Sequence, residues 1–181
     1  MTRQRFVSLY PNSGAFGFAS ESGAVSLGWI GPDDASIRPE SRPLTRRVAE
    51  PFEATLAALA TRVWQEQLPG TAAWVLPKSH WAYELMFGSQ EWMPRLLSEA
   101  GLSPEDLSGR HDGSALEFSP GEAAGFERFL AGLLGGLFGS DFLLVWPSRP
   151  VVCTVHHHKQ LWWTTTNAAL IATLKDLVPG S

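Results

Sequence analysis

The chain contains a single cysteine, Cys153, so it cannot form an internal disulfide, and nothing marks it for an oxidising compartment. No apolar run approaches the ~20 residues of a membrane-spanning helix. The first residues run through Arg3, Arg5, Tyr10, Pro11 and Asn12 without the apolar stretch of an export signal. A cytoplasmic protein with no membrane partner is the expectation. An excess of charge is missing too. A formal net charge of -4 and a pI near 5.7 offer no broad attraction to phosphate backbones, so no nucleic-acid partner is expected. The most basic stretch, Arg38 to Arg47, carries Glu40 among its arginines in a proline-rich loop and reads as solvated surface.

Signatures of catalysis are equally scarce. There is no Gly-x-Ser-x-Gly setting for a nucleophilic serine and no glycine loop followed by Gly-Lys-Ser/Thr to cradle phosphate. The helical zinc pair, two histidines four apart with a glutamate between, is also lacking. Cys153 sits between valines in an apolar strand, which suits a small buried hydrophobe better than a nucleophile. No catalytic residue is nominated.

What is present is enough apolar sequence to fold. The hydrophobic fraction is 44% and the charged fraction 18%, unlike a disordered chain. At 181 residues without a convincing linker, one globular domain over 1–181 is expected. Residues 5–30 read as a meander of strands, Arg5 to Tyr10, Ala15 to Ala19 and Ala24 to Ile30, separated by turn residues. Gly31 to Pro43 reads as a surface connection.

Phe52, Leu56, Leu59 and Val63 recur at helical spacing and predict a helix over Glu50 to Gln67. A strand at Ala72 to Leu76 and a short helix within Ser79 to Phe87 follow. Met93, Leu96, Leu97 and Ala100 define another helix, ended by Gly101, and Ser103 to Asp106 reads as one more helical turn. After a strand at Ser114 to Phe118, Ser119-Pro120-Gly121-Glu122 is a capping box that opens a helix with Phe126, Phe129, Leu130, Leu133, Leu134 and Leu137 on one face. Its glycines each cost about 1 kcal/mol against alanine, so close packing or an end near Gly135 is expected. Strands at Phe142 to Trp146, Val151 to His156 and Leu161 to Thr166 precede a closing helix capped by Asn167. The class is α+β, with a mixed or mainly antiparallel sheet packed against three or more helices.

Two features stand out. His156-His157-His158 continues a predicted strand, in which alternate side chains share a face. His156 and His158 are therefore the candidate metal pair, for zinc or another divalent transition metal, with His157 pointing the other way. Third ligands are available in His80, Glu84, His111, Asp112 and Glu117, without any sign in the sequence that they converge. The plainer alternative is a histidine cluster that only closes a hairpin. His111 with Asp112, and His80 with Glu84, are possible acid/base pairs that read more simply as a turn and a helix face.

The second feature is the number of tryptophans, eight in all. Core packing accounts for many of them, but Trp162 and Trp163 must face opposite sides of a regular strand, and Trp81 and Trp92 lie in a second aromatic cluster. Trp81, Trp92, Trp162 and Trp163 are accordingly the candidate anchors for a protein partner. The leading expectation is a non-enzymatic protein-binding domain of inhibitor, immunity or adaptor type. The alternative is a metal-dependent enzyme or small-ligand-binding protein built around His156 and His158.

Overall fold

The computed structural model describes residues 6–8, 24–32, 45–88, 91–103 and 113–177. Eight strands are paired within it: β1 (Phe6–Ser8), β2 (Val25–Gly31), β3 (Arg46–Arg47), β4 (Ala73–Pro77), β5 (Ser114–Phe118), β6 (Phe142–Val145), β7 (Val151–His156) and β8 (Gln160–Thr165). They form one sheet in the order β1-β5-β4-β6-β7-β8-β2-β3, antiparallel throughout except for the short parallel pair β2 and β3. The helices are α1 (Phe52–Gln67), α2 (Trp81–Tyr83) running into a π turn at Glu84–Gly88, α3 (Met93–Glu99), α4 (Ala123–Gly136) and α5 (Ala168–Leu177). The fold class is α+β.

The core follows from the periodicities. Leu56, Ala57, Leu59, Ala60, Val63 and Trp64 of α1 are buried, as are Phe126, Phe129, Leu130, Leu133 and Leu134 of α4. These stripes share one cluster with alternate strand residues, among them Val75, Leu116, Leu144, Cys153, Val155, Leu161 and Trp163. Side chains of intervening positions, Trp74, Leu76, Ala115, Val145 and Val152, form a smaller cluster on the other face of the sheet.

Two of the four glycines of α4, Gly132 and Gly136, pack closely. A Cβ on Gly132 would come within 2.5 Å of Leu96 Cδ1, and one on Gly136 within 2.4 Å of Trp92 Cδ2. These two positions, four apart, make the groove that receives α3 and the residue preceding it. The helix accordingly runs to Gly136 before Leu137 turns extended.

Two expectations about the N-terminal strands change. The first and third strands of the expected meander lie near opposite edges of the sheet: β1 pairs with β5, whereas β2 pairs with β8. Local turn residues cannot specify such long-range pairing, which depends on which apolar faces meet. The Arg46–Arg47 strand, just beyond the expected surface connection, extends the sheet beside Ile30 and Gly31. The expected strand at Ala15 to Ala19 lies outside the described residues, as does most of the turn expected over Ser103 to Asp106. Among the described residues, no helix is long and apolar enough to cross a membrane.

Candidate functional site

The β7 strand stops at His156, which pairs with Gln160 to close a hairpin over residues 157–159. Lys159 has φ +59°, a left-handed residue at the end of a three-residue loop. The strand alternation assumed for the three histidines therefore fails after His156, because His157 and His158 belong to the turn. Their rings gather on one another. Centroids are 4.2 Å apart for His156 and His157, 4.4 Å for His157 and His158, and 5.0 Å for His156 and His158. One ligating atom from each lies within 4.8 Å of the others.

Asp141, the residue before β6, holds this turn. Its Oδ1 accepts the backbone N–H of His157 at 3.2 Å and lies 2.9 Å from His157 Nδ1. Burial works to raise the Asp141 pKa, but the hydrogen bonds from His157 and the charges of His156 and Lys78 outweigh it, and the net displacement is downward. An ionised carboxylate only accepts, so His157 Nδ1 carries the proton and its lone pair is on Nε2.

His156 is arranged differently. Its Nδ1 accepts the backbone N–H of His158 at 3.2 Å, which puts the proton of the neutral ring on Nε2, 4.0 Å from Asp141 Oδ1. Burial pushes its pKa down, with smaller contributions from His157, His158 and Lys78, despite the opposing pull of Asp141. The shift favours the neutral ring, the form that a metal ligand needs.

The turn is also tied to α1. Lys159 Nζ donates to Glu53 Oε1 in the first turn of that helix. The hydrogen bond from Lys159, aided by a backbone hydrogen bond, lowers the Glu53 pKa against the effect of burial.

Beside the histidines lies a cavity of about 390 Å³, lined by Lys78, Ser79, Tyr83, Ser140, Asp141 and His157 together with Gly139. The strand ends build it. Lys78 follows β4 and its backbone N–H donates to Asp141 O at 2.9 Å, while its ammonium is 3.7 Å from Asp141 Oδ2. Glu84 is fully buried behind the cavity wall and accepts from Ser79 Oγ and Ser140 Oγ, each at 2.8 Å.

Of the other proposed ligands, His80 caps α2 by accepting the Tyr83 N–H at Nδ1, and Glu117 accepts from Trp74 Nε1. Neither is among the groups gathered at the hairpin. His80 Nδ1 serves the Tyr83 N–H, and Glu84 serves the hydroxyls of Ser79 and Ser140. His111 and Asp112 lie outside the described residues.

The candidate partner anchors divide. Trp81 is fully buried and donates to Ser114 O at 2.6 Å, and Trp163 is buried and stacked on Trp146. Trp92 is half-buried on the core, against Gly136. Trp162 is half-buried on the other face of the strand from Trp163, with its Nε1 donating to Gln160 Oε1 and its ring 5.5 Å from that of His156.

Asp141, Lys78 and Ser140 were not foreseen from the sequence. Gly139-Ser140-Asp141 has the composition of an ordinary turn, and only the pairing of β6 between β4 and β7 brings it to the histidines. Compared with protein-family models, with curated proteins and with solved structures, the chain matches none.

Proposed function

We propose that this protein binds a divalent transition metal ion at the β7–β8 hairpin, zinc being the simplest case, and that its function depends on that site. The observation that carries the reading is the pair Asp141 and His157. A carboxylate that accepts the hydrogen bond of Nδ1–H fixes the tautomer and leaves Nε2 as the ligand atom, the usual outer partner of a metal-bound histidine. Two more imidazoles lie within reach.

Ring geometry ranks the three. A metal lies in the plane of each imidazole that ligates it, about 2.0 to 2.1 Å from the nitrogen. His156 and His157 are stacked at 24°, so their in-plane lone pairs do not meet at such a point. His158 stands at 67° to His157 and 72° to His156. His157 and His158 are thus the first pair, and His156 joins as a third ligand only by turning out of the stack and giving up the N–H of His158.

Zinc titration of tag-free protein tests this. Saturable one-to-one binding at micromolar metal is expected, weakened most by His157→Ala and His158→Ala. Absence of saturable binding at that concentration overturns the reading. The partner-binding alternative retains only Trp92 and Trp162 as accessible anchors, and both are already held within the fold. Its support is correspondingly smaller.

A further inference from the structure

The cavity beside the hairpin has a polarity that its composition alone does not reveal. A serine hydroxyl has one proton and two lone pairs. Ser79 and Ser140 both give their proton to the buried carboxylate of Glu84. What the two hydroxyls retain for a molecule in the cavity is therefore acceptor capacity. Asp141 adds a carboxylate to the same wall.

Charge narrows the class of molecule. An anion would meet the Asp141 carboxylate with Glu84 behind it, and the one ammonium of the lining, Lys78, already faces Asp141. A cation would meet the ammonium of Lys78 in the same lining. An uncharged molecule rich in O–H donors suffers neither repulsion and satisfies the acceptors. Tyr83, which lines the cavity and is 44% exposed, offers an aromatic face to the C–H side of such a molecule. Phe138, 87% exposed, adjoins the lining residue Gly139. The volume of about 390 Å³ is within the usual range of small-molecule sites.

We infer that this cavity binds a neutral polyhydroxylated molecule of saccharide size, with Ser79, Ser140 and Asp141 accepting its hydroxyl protons and Tyr83 packing against its ring. The site does not require the metal proposed above, since none of these contacts involves an ion, although Asp141 and His157 border both.

The experiment is a ligand titration followed by NMR on the intact chain, run with EDTA and repeated with zinc. The probes are D-glucose, D-galactose, D-mannose and myo-inositol, with inorganic phosphate and ethanolamine as charged comparators. Saturable binding of at least one neutral probe in the millimolar range is expected in EDTA, with shifts confined to Lys78, Ser79, Tyr83, Ser140, Asp141 and His157. Ser140→Ala should weaken it by about tenfold, the loss of one good hydrogen bond. Because that change also removes a donor from buried Glu84 and can unfold the chain, Tyr83→Ala at the exposed rim is the second variant, expected to weaken binding by about fivefold or more. Arg128→Ala, in a separate cleft between α3 and α4, should leave it unchanged. The inference is overturned if no neutral probe binds at tens of millimolar, if the shifts map elsewhere, or if phosphate or ethanolamine occupies the cavity in preference to all four. Binding of a neutral probe in EDTA without any zinc binding would retain this inference and remove the metal reading.

Discussion

His157 reaches across the sheet end to Asp141 twice, once through its ring Nδ1 at 2.9 Å and once through its backbone N–H at 3.2 Å, both to the same oxygen. The imidazole is thereby fixed in position and tautomer by one carboxylate, that of the residue before the neighbouring strand β6.

Asp141→Asn preserves the shape of that contact but loses the charge that holds the Nδ1 proton. If the hairpin binds zinc, affinity should fall by about 10- to 100-fold, the usual effect of altering an outer partner of a ligating histidine. Calorimetric titration of the variant beside the wild type measures this. An unchanged affinity would mean that Asp141 serves only the turn.

The glycines of α4 should separate by what stands over them. Gly136→Ala drives a methyl into the rigid indole of Trp92 and should destabilise by about 1 to 3 kcal/mol. Gly132→Ala meets only the flexible tip of Leu96, and the gain in helix propensity of about 1 kcal/mol offsets much of the clash. Gly125→Ala meets nothing within 4 Å and should stabilise by about 0.4 to 1 kcal/mol. Urea unfolding of the three variants gives the order directly.

Leu133 is fully buried on the face of α4 that meets the core. Leu133→Ala should cost about 2 to 5 kcal/mol by leaving a cavity. A loss below about 1 kcal/mol in denaturant unfolding would be inconsistent with that burial.

The clamp between Glu53 and Lys159 sets a pH dependence. The Glu53 pKa is lower in the folded chain than in the unfolded one, so its contribution is present above the unfolded value, near 4.3, and is lost as pH falls through the folded value. Both side chains are partly exposed, which limits the effect to about 0.2 to 1 kcal/mol. Glu53→Gln should be less stable than wild type by that amount near neutral pH, with the gap closing in acid and shrinking in high salt. A gap that stays unchanged as the pH is lowered to the acid limit of folding would assign the effect to packing instead of charge.

The elements with strong local signals were legible beforehand. The 3.6-residue stripes of α1 and α4 and the β-branched runs of β6, β7 and β8 emerge within a residue or two of where their apolar patterns place them. The capping box at Ser119 and Glu122 forms as its spacing implies, with Glu122 Oε2 accepting the Ser119 N–H at 2.9 Å. The position of β1 was not legible, because its three residues could pair with any exposed edge. The candidate site was legible only in its histidines. Their arrangement depends on Lys159 taking a left-handed backbone without the glycine or asparagine that announces one, and on Asp141, which is 16 residues from His157. The burial of Trp81 and Trp163 was hidden for a similar reason: nothing local says which side of a strand will be covered.

The place of β6 and β7 in the sheet has a kinetic consequence. They occupy the middle of the eight-strand order, with partners on both sides, so their amides open only in large-scale unfolding and exchange slowly with solvent. Asp141 directly precedes one of these strands and His156 ends the other. Asp141 and His156 are therefore mounted at the ends of the strands expected to exchange most slowly, and His157 and His158 hang from the turn between β7 and β8. Little backbone motion then remains to be frozen at Asp141 and His156 when a ligand arrives, which leaves the rotation of the imidazoles as the conformational step of binding.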